Sequence, residues 1–121
     1  MAEDRYVICS GEYGNVEIAA NVIMTIAGIA TLETEGVSAI GTSITRETIG
    51  KQSEKTLAKA VRIEVLENAA SIDIALNLDF GAEIPKVVPI VQEKVKNTVE
   101  NMTGLNIADV NVKIIGIGAE N

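Results

Sequence analysis

The apolar positions of this chain change their period along its length, from two residues to three or four and back. Between Ser71 and Phe80 the alternation is strict. Ile72, Ile74, Leu76, Leu78 and Phe80 point one way and Asp73, Ala75, Asn77 and Asp79 the other, which predicts a strand with one buried face. Val61, Ile63 and Val65 alternate with Arg62, Glu64 and Leu66 just before it, predicting a strand over 60–67. The short turn at Asn68–Ala70 joins the two into an antiparallel hairpin with one wet face. Val110, Val112 and Ile114 alternate with Asn111 and Lys113 and predict a last strand running to about Ile117. A shorter strand is predicted over Asn15–Ile18, with Val16 and Ile18 opposite Glu17.

Two stretches carry helical spacing. Ile18, Val22, Ile26, Ile29 and Leu32 form a stripe that Ile23, Ala27 and Ala30 widen, predicting a helix over Ala19–Glu35. Gly36 follows as a C′ residue free to take positive φ. Gly28, inside the helix, costs about 1 kcal/mol relative to alanine and predicts a close approach by another element. The second helix starts at Pro85 and runs to about Met102, with Ile84, Val88, Val91, Val95, Thr98 and Met102 as its stripe and Val87 and Val99 beside it. Thr103 and Gly104 end it.

Between these elements the pattern weakens. Residues 1–13 read as a polar lead-in punctuated by Gly11. Val37–Lys59 holds Gly41, Gly50 and many hydroxyl residues, so 41–59 reads as a variable loop or short helix, the helix near Ser53–Ala58. The predicted order is β-α-β-β-α-β within one domain, 1–121. That order predicts an α+β two-layer sandwich, two main helices packed on one face of a mainly antiparallel four- to five-stranded sheet. A ferredoxin-like split β-α-β arrangement is one topology with this order; the strand order in space stays open.

Composition narrows the chemistry. The chain has no His, no Trp and a single Cys among 121 residues, and only Tyr6, Tyr13 and Phe80 are aromatic. The commonest general base near neutral pH and the commonest transition-metal ligand are therefore missing. Cys9 has no partner for a disulfide and reads as a small residue in a leading strand. No signal peptide is expected at the start of the chain, and no stretch reaches the roughly 18 uninterrupted apolar residues of a membrane span. Asp73 and Asp79 share a strand face but stand about 20 Å apart at strand rise, too far for one cation or one acid–base pair. Gly11-Glu12-Tyr13-Gly14 precedes a strand, not a helix, and reads as a turn. Gly116-Ile117-Gly118 lacks the following helix of a phosphate loop. No catalytic, cofactor-binding or metal-binding residue is assigned, and no cofactor is expected.

The net charge of −7 disfavours general binding to phosphate backbones. The cations are clustered, however. Arg46, Lys51, Lys55, Lys59 and Arg62 are five of the ten basic residues and lie in one 17-residue window. Lys51, Lys55 and Lys59 would share one face of a helix. The five are the candidate contact for a partner or an anionic surface.

Gly14–Ala19, continuing through Val22–Ala27 to Glu35-Gly36-Val37, resembles the opening of the alkaline-shock-protein family of bacterial envelope stress response proteins. Val61–Val65 with the strand ending in Phe80-Gly81, Val91–Val95, Val99–Leu105 and Val110–Val112 match in the family's order, covering roughly Gly14 to Ile117. The family often has Ser and an acidic residue where Ala19-Ala20-Asn21 starts the first helix here, and Thr42–Lys59 departs from the pattern. The resemblance implies a non-catalytic, cytoplasmic protein gathered at the inner face of the cell membrane. Its implied role is that of a scaffold or adaptor that self-associates and binds a small membrane-anchoring protein. A nucleic-acid-binding regulatory domain is the second reading, from the small α+β form and the basic window. An enzyme is the third, and needs a deep polar pocket.

Overall fold

The computed structural model describes residues 6–11, 14–41, 44–51, 54–65 and 69–118, with side chains from Glu17 onward, Glu54 excepted. The elements are β1 (Tyr6–Gly11), β2 (Gly14–Ala19), α1 (Ala20–Leu32), β3 (Val37–Ile40), a 3-10 turn (Ile49–Lys51), α2 (Glu54–Ala60), β4 (Val61–Val65), β5 (Ala70–Leu78), α3 (Ile84–Thr103) and β6 (Ile107–Ile117). The architecture is α+β, with α1 and α3 packed together on one face of a four-stranded sheet.

β5 is the axis of that sheet. On one side it pairs antiparallel with β4 over Ala70–Ile74 and with β3 over Leu76–Leu78, so β3 and β4 lie end to end along one edge. The seam between them is closed by the Gly41 N–H, which donates to the Ala75 carbonyl at 2.7 Å. Gly41 has φ +59, and a Cβ there would press on Ala60 Cβ at 3.0 Å, so the glycine lets the end of β3 meet the end of α2. On its other side β5 pairs with β6 in parallel along its whole length.

The sheet is therefore mixed, not mainly antiparallel. α3 sets this. Its 20 residues span about 30 Å, the length of β5 itself, and return the chain to the end where β5 began. The next strand must then run parallel. The predicted strand at Asn15–Ile18 exists as part of β2, but it pairs with β1 in a separate two-stranded sheet. Gly11 pairs with Gly14 at the end of this ladder, and Glu12 and Tyr13, on which the turn reading falls, lie outside the described residues. The place in the main sheet is taken by β3. A bulge between Val37 and Ala39 breaks its alternation, and the sequence pattern read it as loop. The split β-α-β topology does not hold.

The core lies between the helices and the inner sheet face. Ala70, Ile72, Ile74, Leu76 and Leu78 of β5 are all at most 1% exposed. β5 ends at Leu78, and Phe80, expected inward, sits in the following turn at 57% exposure. α3 buries Val87, Val91, Val95, Val99 and Thr103, a row spaced by four that suits ridge packing against α1. The stripe read from the sequence holds Val91 and Val95 of this row, with Val87 and Val99 beside it, but departs from it at its ends: Ile84 is exposed, and Met102 is 64% exposed. Gly104 closes α3 in the left-handed region at φ 78, its N–H donating to Glu100 O.

α1 carries no charge over its 13 residues and buries most of its circumference, since α3, β3, β4 and α2 all pack on it. β2 runs directly into it, and Ala19 at its N-cap supplies no side-chain cap. Gly28 meets the expected neighbour: Ile49 of the 3-10 turn, whose Cδ1 lies 2.7 Å from where a Cβ would stand. Thr31 and Thr103 are buried but donate to carbonyls of their own helices, Ala27 O at 2.9 Å and Val99 O at 2.7 Å.

Candidate functional site

Strand alternation leaves the sheet face opposite the helices uncovered among the described residues, and pairing register arranges it in rows. Glu64, Ser71 and Asp109 are cross-strand neighbours on β4, β5 and β6. Arg62, Asp73 and Asn111 form the next row, and Ala75 stands beside Lys113 in the one after. Polar contacts tie the rows together. Asn111 Nδ2 donates to Asp73 Oδ1 at 2.8 Å, and Ser71 Oγ to Asp109 Oδ2 at 3.5 Å. The face thus runs from an acidic end, Glu64 and Asp109, to a basic end near Lys113.

At the basic end lies an open depression of about 630 Å³. Ala75 and Ile74 of β5, Val112 and Ile115 of β6, and Ile44 and Ala60 give it an apolar lining. Lys59, Arg62 and Lys113 stand at its rim with Asp73, Asn111 and Thr56. The three cations are exposed and carry no ion pair or hydrogen bond among the described residues. Apolar lining beneath unpaired cations suits an anionic group with an apolar body. The described residues contain no group of three or more Cys, Asp or Glu side chains placed to hold a metal ion.

The five clustered cations of the sequence separate here. Lys59, in the last turn of α2, and Arg62, on the outer face of β4, line the depression. Lys55 is exposed one turn earlier on α2. Lys51 closes the 3-10 turn and does not share a helical face with Lys55 and Lys59, because α2 begins only at Glu54. Arg46 turns elsewhere, its Nη2 donating to Leu32 O at 2.6 Å and so capping the C-terminal end of α1. Lys113 was not singled out from the sequence. It is 51 positions from Arg62, and only the parallel register of β6 on β5 brings the two to one face. Cys9 lies in β1, as expected of a leading strand; its side chain is outside the described set.

No described helix is long and apolar enough to cross a membrane. Residues 9–119 match the model of the alkaline shock protein 23 family, described as having a cell envelope-related function. The chain is 36% identical over 104 residues to "Uncharacterized protein YqhY" of Bacillus subtilis (strain 168), covering 86% of this chain and 77% of that protein. It is 32% identical over 108 residues to "Uncharacterized protein Spy1535" of Streptococcus pyogenes serotype M6, covering 88% and 81%. No solved structure matches the chain. The match spans nearly the whole described fold, from β1 to the end of β6, and the chain belongs to the alkaline-shock-protein family of cell envelope-related proteins.

Proposed function

We propose that this chain is a non-catalytic scaffold or adaptor of the bacterial envelope stress response. It works at the inner face of the cell membrane, by self-association and by binding a membrane-anchored partner. The observation that carries the reading is the outer sheet face, uncovered among the described residues, where Lys59, Arg62 and Lys113 have no ion pair among those residues and surround an apolar depression on a chain of net charge −7. Against that total charge a local cationic site orients the molecule toward acidic groups, each cation adding about 1 kcal/mol near an anionic surface. Family membership supplies the envelope context.

The test is fractionation of the native host with wild-type chain and with the pair Lys59→Glu, Arg62→Glu. The expected result is recovery of the wild type with membranes, detergent-sensitive, and a shift of the variant to the soluble fraction at unchanged thermal midpoint. Recovery of the wild type only in the soluble fraction, in both growing and envelope-stressed cells, contradicts the reading.

A further inference from the structure

β6 is 11 residues long and is paired on one side only among the described residues, by β5. The direction of its peptide groups follows from the ladder. On β5, Ala75 O accepts from Gly41 on the β3 side, while Leu78 O accepts from Gly118 and Ala70 N–H donates to Asn106 O on the β6 side. Even-numbered peptides of β5 therefore face β6. In the regular stretch Ser71–Leu76 against Asp109–Ile114, their partners are the peptides of Asp109, Asn111 and Lys113. Val110, Val112 and Ile114 turn their N–H and C=O groups to the free edge. Gln92 Nε2 agrees with this direction, donating to Val110 O from α3 at 3.0 Å. That carbonyl keeps a second lone pair.

An edge this long is a template for another strand unless something guards it. The charges on it select the strand. Asp109 and Lys113 lie two residues to either side of Asn111, on the same outer face. We infer that β6 pairs antiparallel with β6 of a second copy of this chain, about a two-fold axis between the two Asn111 residues. In that register Asp109 of each copy faces Lys113 of the other, the acidic end of one outer face meeting the basic end of the next. Val110 faces Val112 of the second copy, and each such pair exchanges both of its free peptide bonds. Moving the axis to Lys113 sets the two lysines against each other. Moving it to Val112 leaves Lys113 opposite Asn111 and Asp109 opposite Ile115. Lys113 thus guards the edge against most strands and admits the one that carries an acid at the matching position.

The inference rests on the assembly reading above and gives it a geometry. The axis is perpendicular to the sheet, so both helical layers lie on one side and both outer faces on the other. Each depression keeps Lys59 and Arg62, and the pair of them presents two contacts to one surface, which raises avidity without a new contact type.

Three measurements on the full chain test it, in a Cys9→Ser background where a cysteine is introduced. Asn111→Cys should form a disulfide-linked dimer on mild oxidation, because facing residues of a non-hydrogen-bonded pair have Cα atoms about 4.5 Å apart. Asp109→Cys should not, since its own copy stands several residues away along the edge. In sedimentation, Asp109→Lys should weaken self-association by about tenfold or more, and Asp109→Lys with Lys113→Asp should restore it. If the wild type associates while Asn111→Cys gives no dimer and the charge exchange has no effect, β6 pairing is wrong and self-association uses another surface. If the wild type is monomeric at every concentration, both β6 pairing and the self-association reading fall.

Discussion

Gly28 shows how one absent methyl group shapes the neighbourhood of α1. A Cβ there would stand 2.7 Å from Ile49 Cδ1 and 3.0 Å from Ile40 Cδ1, both in buried side chains. Alanine gains about 1 kcal/mol of helix propensity, and overpacking a core costs about 1–3 kcal/mol. The blocking atoms are the ends of two isoleucine side chains, which can shift at modest cost, so the two effects nearly cancel and Gly28→Ala should change stability by no more than about 1 kcal/mol in chemical denaturation. Ile49→Val removes the blocking Cδ1, and Gly28→Ala on that background should be neutral or stabilising. Glu100 is a second single-residue fixture. Its Oε2 accepts from Ile107 N–H at 2.9 Å and fastens the start of β6 to the last turns of α3. Glu100→Ala should cost about 1–2 kcal/mol by leaving that donor unsatisfied, and Glu100→Gln, which keeps an acceptor, should cost less.

At the scale of elements, the row Val87, Val91, Val95, Val99 and Thr103 defines the inward side of α3, and Ile90 faces solvent. Val91→Ala should therefore cost about 2 kcal/mol, while Ile90→Ala should change stability by no more than about 0.5 kcal/mol. Equal effects in thermal or denaturant unfolding would contradict this phase. The period of α3 was legible in the sequence and its phase largely so, since Val91 and Val95 with Val87 and Val99 beside them are buried, but the ends were misread at Ile84 and Met102, whose apolar side chains are exposed. β5 was legible because its alternation is strict. β3 was hidden by four-residue length and a bulge. The parallel course of β6 could have been read from length alone, since a helix as long as the strand before it returns the chain to its starting end. The basic window was visible as a cluster along the chain. Which of its members meet was decided by where α2 begins and by Arg46 turning to α1. Lys113 joined them through register, a relation that spacing along the chain does not carry.

For the whole molecule, an excess of negative charge sits on a fold that leaves one sheet face and the long β6 edge open among the described residues. Two copies of net charge −7 repel each other over the Debye length, about 30 Å at 0.01 M salt and about 8 Å at 0.15 M. Contacts between Asp109 and Lys113 at the seam are screened far less. Self-association should therefore be tighter at about 0.15 M than at about 0.01 M salt, the reverse of an interface held mainly by long-range attraction, and a sedimentation series in salt reads this directly. Hydrogen exchange along β6 over a range of protein concentrations tests the central claim in one measurement. In dilute solution the amides of Asn111 and Lys113, bonded to β5, should exchange slowly, and those of Val112 and Ile114 should exchange quickly. As concentration rises, Val112 should become protected while Asn111 and Lys113 stay as they were. Fast exchange at Val112 at every concentration, or slow exchange at Val112 and Ile114 already in the monomer, would contradict the open edge on which the account depends.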